Sequence, residues 1–148
     1  MFIINTEAAI YRDGKYLICK RSEKEEHAAG MLSLIGGKVE VEGFSTDILE
    51  RTVVREVAEE VGVIINRRPR YVHSSSFVTD TGIHIVNINF LCEDVEGEPY
   101  AVSADEVEAV YWMTAKEVFA EVEAPDYLKE SIGRAETLRT GAKISWRK

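Results

Sequence analysis

The chain has 148 residues, 45% of them hydrophobic and 30% charged, with a net charge of −8 and a pI near 5.0. That length suits one folded domain, 1–148, with a real core, and is short for two. An acidic balance excludes a protein that clamps duplex nucleic acid or an anionic membrane, since either needs a basic surface. A small phosphorylated substrate stays open, because a bound divalent cation reverses the local sign. Cys19 and Cys92 sit inside apolar, β-branched runs, as small buried side chains in a reducing compartment would. The start lacks a signal-peptide pattern and no run approaches the ~18–20 apolar residues that span a bilayer. The expected compartment is the cytoplasm.

In chain order, "IINTEAAIYRDGKYLICKR" reads as two strands joined at Asp13-Gly14, a hairpin signal. A polar loop "SEKEEHAAG" follows, then a short apolar piece "MLSLI" that ends at Gly36-Gly37, a pair read as a tight backbone turn. "KVEVEGFST" reads as a loop. A helix then runs from Asp47 to about Val61, with Asp47 and Glu50 spaced as a capping box and Gly62 as its stop. "RYVHSSSFVTD" and "GIHIVNINFLCE" are two further strands, the second apolar enough to be interior. "EGEPYAVSADE" is a polar loop and "VEAVYWM" a strand. "TAKEVFAEV" is a short helix capped by Thr114 with Glu117 at its third position, and "PDYLKESIGRAETLR" is a second one. The tail "TGAKISWRK" has no assignment. Strands on both sides of a central helix, with more helix at the end, predict a sheet covered by helices.

The informative stretch is "REVAEEVG". At about 100° per residue, Val53, Val54, Val57, Ala58 and Val61 share a broad apolar face. Glu56, Glu59, Glu60 and Thr52 gather opposite it. Like charges at i, i+3 and i+4 destabilise a helix by roughly 0.2–0.5 kcal/mol per pair. Either the three carboxylates merely solvate the helix, or they form a site for a hard cation, which takes oxygen ligands. The glycine pair upstream favours the cation, because it leaves backbone groups free to approach a metal or a phosphate.

At these residues the chain resembles the Nudix hydrolase family, in its MutT-like form. The family's box reads G-x5-E-x7-R-E-U-x-E-E-x-G-U, with U aliphatic. Arg55, Glu56, Val57, Ala58, Glu59, Glu60, Val61, Gly62 and Val63 match its second half in full. In the first half, Asp47 stands where the family has glutamate, and nine residues, not five, separate it from Gly37. A four-residue insertion in "VEVEGFST" and a Glu-to-Asp change account for both. Leu32 and Ile35 stand where the family often has Trp and Pro. The flanking order of elements also resembles the family's, so the implied fold is the Nudix fold: α/β, a mixed β-sheet sandwiched between helices.

The resemblance implies that Glu56, Glu59 and Glu60 hold Mg²⁺ or Mn²⁺, with the Gly36 carbonyl as a backbone ligand. Arg55 would orient the glutamates through its planar fork, and Glu59 is the first choice of general base. Glu106, in the loop "SADEVEAVYW", matches an additional carboxylate that family members supply there, or it is part of a solvated acidic loop. Arg21 and, more weakly, Lys38 are candidates for a substrate phosphate, against an exposed structural role for Arg21. Phe77, and less surely Tyr71 or Phe90, would stack on a base, although core packing is the favoured reading. His27, His73 and His84 are too scattered for a zinc site; His27 lies in a loop that would border the pocket.

The implied activity is Mg²⁺-dependent hydrolysis of a phosphoanhydride in a nucleoside diphosphate linked to another moiety. The first expectation is a nucleoside triphosphate, oxidised or otherwise non-standard, cleaved to monophosphate and pyrophosphate. A nucleotide sugar or ADP-ribose is the alternative. The region "SSFVTDTG" lacks the proline and the tyrosine that mark ADP-ribose and dinucleoside polyphosphate enzymes of the family. A non-catalytic nucleotide-sensing module is the reading from another class; such modules typically lose box glutamates, and this chain keeps all three. The expected partner is a small-molecule nucleotide, with no nucleic acid polymer and no membrane, and a homodimer left open.

Overall fold

Alternating side chains on the first strand set the architecture. In the computed structural model, which describes residues 1–25 and 28–147, β1 (Phe2–Arg12) sends Ala8 and Ile10 into one core and Ala9 and Tyr11 into another. Its backbone meets three strands. Along one edge it runs parallel to β7 (His84–Cys92), from Phe2 opposite His84 to Ile10 opposite Cys92. Along the other edge it pairs antiparallel first with β4 (Ile35–Lys38) and then, at Tyr11 and Arg12, with β2 (Lys15–Arg21). β3 (Leu32–Ser33) and β9 (Val107–Met113) both pair with β2, and β6 (Arg70–Val78) closes the far edge against β7. Asp13 and Gly14 turn the first hairpin with φ of 51° and 84°, the doubly positive geometry that matches strand twist.

Each face of this mixed sheet buries a helix, as the sequence predicts. α1 (Ile48–Val61) packs Val53, Val57 and Val61 against Ile10, Leu17, Ile35 and Phe90. On the opposite face, α3 (Asp126–Thr140) brings Leu128, Ile132 and Ala135 onto Ala9, Tyr16, Ile18 and Leu91, and α2 (Ala115–Ala120) adds Val118. Cys19 and Cys92 are buried and unpaired, as expected. No helix among the described residues is long and apolar enough to cross a membrane. β5 (Ile64–Ile65) and β8 (Val95–Glu96) form a separate two-stranded piece. Two residues per strand are too few to show a period-2 pattern, so the sequence does not announce them.

Several local expectations are corrected. Asp47 does occupy the position before α1, but with φ of 55° and without a side-chain cap. Its carboxylate instead pairs with Arg68 at 3.0 Å, and Arg68 also holds Glu50 at 3.0 Å. With both acids engaged by Arg68, no capping box forms. Thr52 does not share the acidic face; it is fully buried and donates to the Ile48 carbonyl at 2.6 Å. The capping box at α2 is real: Thr114 and Glu117 exchange both hydrogen bonds. Gly62 ends α1 in the left-handed conformation, its N–H bonded to the Ala58 carbonyl. The unassigned tail folds back on α3, where the Ile144 N–H donates to Thr137 at 2.9 Å and the Arg147 guanidinium lies 4.6 Å from the Trp146 ring centre.

Candidate functional site

The site begins with two glycines that do not turn. Gly36 and Gly37 lie in β4, paired with Glu7 and Thr6 of β1, and neither has positive φ. The expected tight turn is therefore absent, and the glycines serve clearance. A Cβ on Gly36 would run into the Thr6 carbonyl, and one on Gly37 into the Glu56 carboxylate. Without side chains there, α1 lies close enough for its carboxylates to face the strand's backbone. The Gly36 N–H lies on the side of β4 that the Glu60 carboxylate approaches and favours its charged form.

Packing against β4 changes what the acidic face of α1 is. Glu56 retains 18% side-chain exposure and lies 3.5 Å from the Arg55 guanidinium. Burial pushes its carboxyl above the usual range, and the charges of Glu59 and Glu106 push the same way, against Arg55. Glu60 is pushed up to about 8, first by burial and then by the charges of Glu56 and Glu106, against the Gly36 N–H and Arg21. Glu59 is exposed. Of the acidic residues around the start of β9, Asp105 in the preceding loop is taken by Lys24 at 3.0 Å and Glu108, within the strand, by Lys20 at 3.3 Å. Glu106 pairs with neither lysine, and its charge reaches Glu56 and Glu60. Glu56, Glu59, Glu60 and Glu106 thus act on one another electrostatically at one place. They do not form a finished cage: among the described residues no three Asp, Glu, His or Cys side chains are arranged to hold an ion alone. Mg²⁺ seldom needs one, since it keeps several waters and shares substrate phosphates. Crowded oxygen donors whose charges oppose one another are chemically suited to such a cation.

Comparison with known proteins agrees with this arrangement. The family model of the NUDIX domain matches residues 2–132. The chain belongs to the Nudix family. It is 31% identical over 119 residues to the uncharacterized Nudix hydrolase YfcD of Shigella flexneri, covering 78% of this chain and 62% of that protein. It therefore spans less than two thirds of the length of that relative. Among solved structures it resembles a MutT NUDIX hydrolase from Burkholderia pseudomallei, with a TM-score of 0.77 and 28% identity over 90% of this chain and 98% of the other. The MutT protein of Methanosarcina mazei Go1 superposes with a TM-score of 0.78 at 24% identity, covering 94% and 96%; that likeness concerns the fold.

The remaining candidates are spread around the Nudix box. Arg21 ends β2, pairs with Glu25 at 3.2 Å, and its charge acts on both Glu7 and Glu60. Lys38 is exposed at the end of β4, opposite Asn5. Phe77 lies on edge strand β6, 41% exposed and opposite Ile85, with β7 and β1 between its strand and β4. At about 4.8 Å per strand, it stands roughly 14 Å from β4. Phe90 is core, and Tyr71 is exposed with its hydroxyl near Ser74. His73 is buried against Ser131 at 3.1 Å and His84 packs edge-on to Phe2, both structural placements. His27 lies outside the described residues.

The lengthened loop before α1 is tied down. Arg51 donates to both carboxylate oxygens of Glu42, at 2.7 and 3.3 Å, and to the Thr46 carbonyl at 3.0 Å. A cavity of about 420 Å³ beside it, lined by Asp47, Glu50, Arg51 and Arg68 among others, contains charges that are already paired.

Sequence reasoning missed one cluster. The Glu7 carboxylate accepts from the side-chain amides of Asn87 at 2.8 Å and Asn89 at 2.9 Å, and Asn5 donates to Asn87 at 2.8 Å. Burial pushes the Glu7 carboxyl up, opposed by both amides and by Arg21. The signal was present: "NTE" and "NIN" place polar residues at i and i+2 within otherwise apolar strands.

Proposed function

We propose that this Nudix protein is a divalent-metal-dependent pyrophosphohydrolase acting on a nucleoside diphosphate linked to another moiety. The observation that carries this reading is the crowding of the box carboxylates of α1 against β4, with Glu56 against Gly37 and Glu60 half-buried beside it, where burial and the charges of Glu56 and Glu106 push the Glu60 carboxyl up to about 8. A cation relieves that repulsion. Glu56, Glu59, Glu60 and the Gly36 carbonyl would hold Mg²⁺ or Mn²⁺, with Glu106 as a further carboxylate. When bound, the metal polarises a phosphoryl oxygen and lowers the pKa of a water.

The chain's own residues supply the rest. Arg55 orients Glu56, and its fixed fork of donors suits that task. The Gly36 N–H favours the charged form of Glu60. Glu59, the exposed member of the triplet, is free to accept the proton of an attacking water as general base. Arg21, whose field reaches the box, and Lys38 would bind phosphate oxygens. Phe77 would stack on a base, although its place on the far edge strand makes it the weakest assignment. A nucleoside triphosphate is the first substrate expected, with nucleotide sugars and ADP-ribose next. The cytoplasm is the compartment in keeping with such a substrate.

The test is a hydrolysis screen over nucleoside triphosphates, including oxidised ones, nucleotide sugars and ADP-ribose, with Mg²⁺ or Mn²⁺. Pyrophosphate or monophosphate is expected from at least one class, and Glu59→Gln should lower that turnover about 100-fold or more. Turnover unchanged by Glu59→Gln removes the general-base assignment. No product from any class removes the activity.

A further inference from the structure

We propose that Glu7, held by the side-chain amides of Asn87 and Asn89, binds an amino-bearing edge of the substrate's nucleobase and so sets base specificity. This rests on the reading that the substrate is a nucleotide.

The placement comes from strand register. β1 and β7 run parallel with Asn5 opposite Asn87 and Glu7 opposite Asn89, while Glu7 also faces Gly36 across β4. Those residues share the sheet face on which α3 lies. There α3 covers the apolar part, Ala9 and Leu91, with Leu128 and Ile132. The polar residues come earlier in β1 and β7, toward the start of α3, where half-exposed Tyr127 stands close enough to feel the charges of Glu7 and Arg21. Gly36, opposite Glu7 in the register, adjoins Gly37, which lies against the Glu56 carboxylate, and the charge of Arg21 acts on both Glu7 and Glu60. One nucleotide would therefore place its phosphates at the box and its base over Glu7.

The hydrogen-bond inventory names the chemistry. Asn5 donates to the Asn87 Oδ1, and Asn87 and Asn89 each donate to one carboxylate oxygen of Glu7, Oε1. Two acceptors are left without a donor, one sealed and one open. Asn89 is 1% exposed, and its Oδ1 has no partner among the described residues. The second oxygen of Glu7 likewise accepts no hydrogen bond among them, and it is not counted with the sealed, unpaired atoms. The Glu7 carboxylate is thus held through Oε1 and leaves its other oxygen for a donor from outside. A ligand edge bearing N–H groups, such as an exocyclic amine, completes it; an edge of acceptors alone leaves carboxylate and carbonyl oxygens facing each other. Sites built to pair a polar group reject the analogue that lacks it far more strongly than apolar pockets do.

The experiment measures binding, which does not depend on turnover. Calorimetry on wild type and Glu7→Gln would compare nucleoside monophosphates differing at an amino group: GMP with IMP, AMP with IMP, and CMP with UMP. Wild type should bind the amino-bearing member at least about tenfold more tightly in one or more pairs, and Glu7→Gln should level that preference. Equal binding within every pair, a preference that survives Glu7→Gln, or no binding of any monophosphate overturns the proposal. Should Glu7→Gln fail to fold, the side-chain amide resonances of Asn87 and Asn89 in the wild-type chain decide. They should shift when the preferred monophosphate is added, and unmoved resonances at saturation overturn the assignment. Metal-dependent pyrophosphate release, assayed in parallel, reports separately on whether the protein is a hydrolase.

Discussion

Gly36 and Gly37 are adjacent, yet their neighbours differ in kind. The obstacle beyond Gly36 is the Thr6 backbone, which cannot step aside, whereas beyond Gly37 it is the end of the Glu56 side chain. Gly36→Ala should therefore cost about 1–3 kcal/mol of stability, as overpacking does. Gly37→Ala should leave the unfolding midpoint nearly unchanged, displace Glu56 and weaken divalent-cation binding. Urea unfolding and metal titration of both variants separate the two; equal stability losses would refute the clearance explanation. Sequence alone distinguishes neither role, because a glycine chosen for space and one chosen for a turn are the same letter. The Glu7 cluster was hidden for a related reason: its two halves, on β1 and β7, stand 80 or more residues apart, and only the parallel register of β1 with β7 brings them together.

At the scale of elements, the two helix starts make a matched pair. Asp47 sits at the start of α1 in the left-handed region without capping it, while Thr114 caps α2 with both hydrogen bonds in place. Thr114→Ala should cost about 1 kcal/mol. Asp47→Gly should stay within about 0.5 kcal/mol of wild type, because glycine suits that backbone and the ion pair it removes is exposed. A comparable loss at both sites, read from denaturant midpoints, would restore the capping role to Asp47. The helix of the box was legible because its valines repeat at helical spacing and Gly62 ends it. Its surroundings were not. A helical wheel says which residues share a face, but not that β4 covers Glu56 and Glu60 or that Thr52 is buried.

For the molecule as a whole, Glu60 couples stability to pH. Its carboxyl is pushed up to about 8 in the folded chain against an ordinary value of 4.5. Between those values the folded state retains a proton that the unfolded state has released, so stability falls as pH rises through that window. Its full contribution is present below the ordinary value and is gone above the folded one. In metal-free buffer the melting temperature should drop by several degrees between about pH 5.5 and about pH 8.5. Glu60→Gln should flatten that slope, and Mg²⁺ should restore stability most at the alkaline end. An unchanged slope in Glu60→Gln would assign the pH dependence elsewhere.

The layered α/β/α architecture was readable from the order of elements and their periodicities, since each long strand and helix carried its own pattern. What remained hidden was the approach of one element to another, and the chemistry lies in that approach. The most direct measurement of the central claim is Mn²⁺ binding followed by electron paramagnetic resonance, which counts free ion in the presence of protein. Wild type should remove at least one Mn²⁺ per chain from solution, Mg²⁺ should compete for it, and Glu60→Gln should lose most of that capacity. Mn²⁺ binding of equal strength and number in wild type and Glu60→Gln would contradict a metal site built on the glutamates of α1.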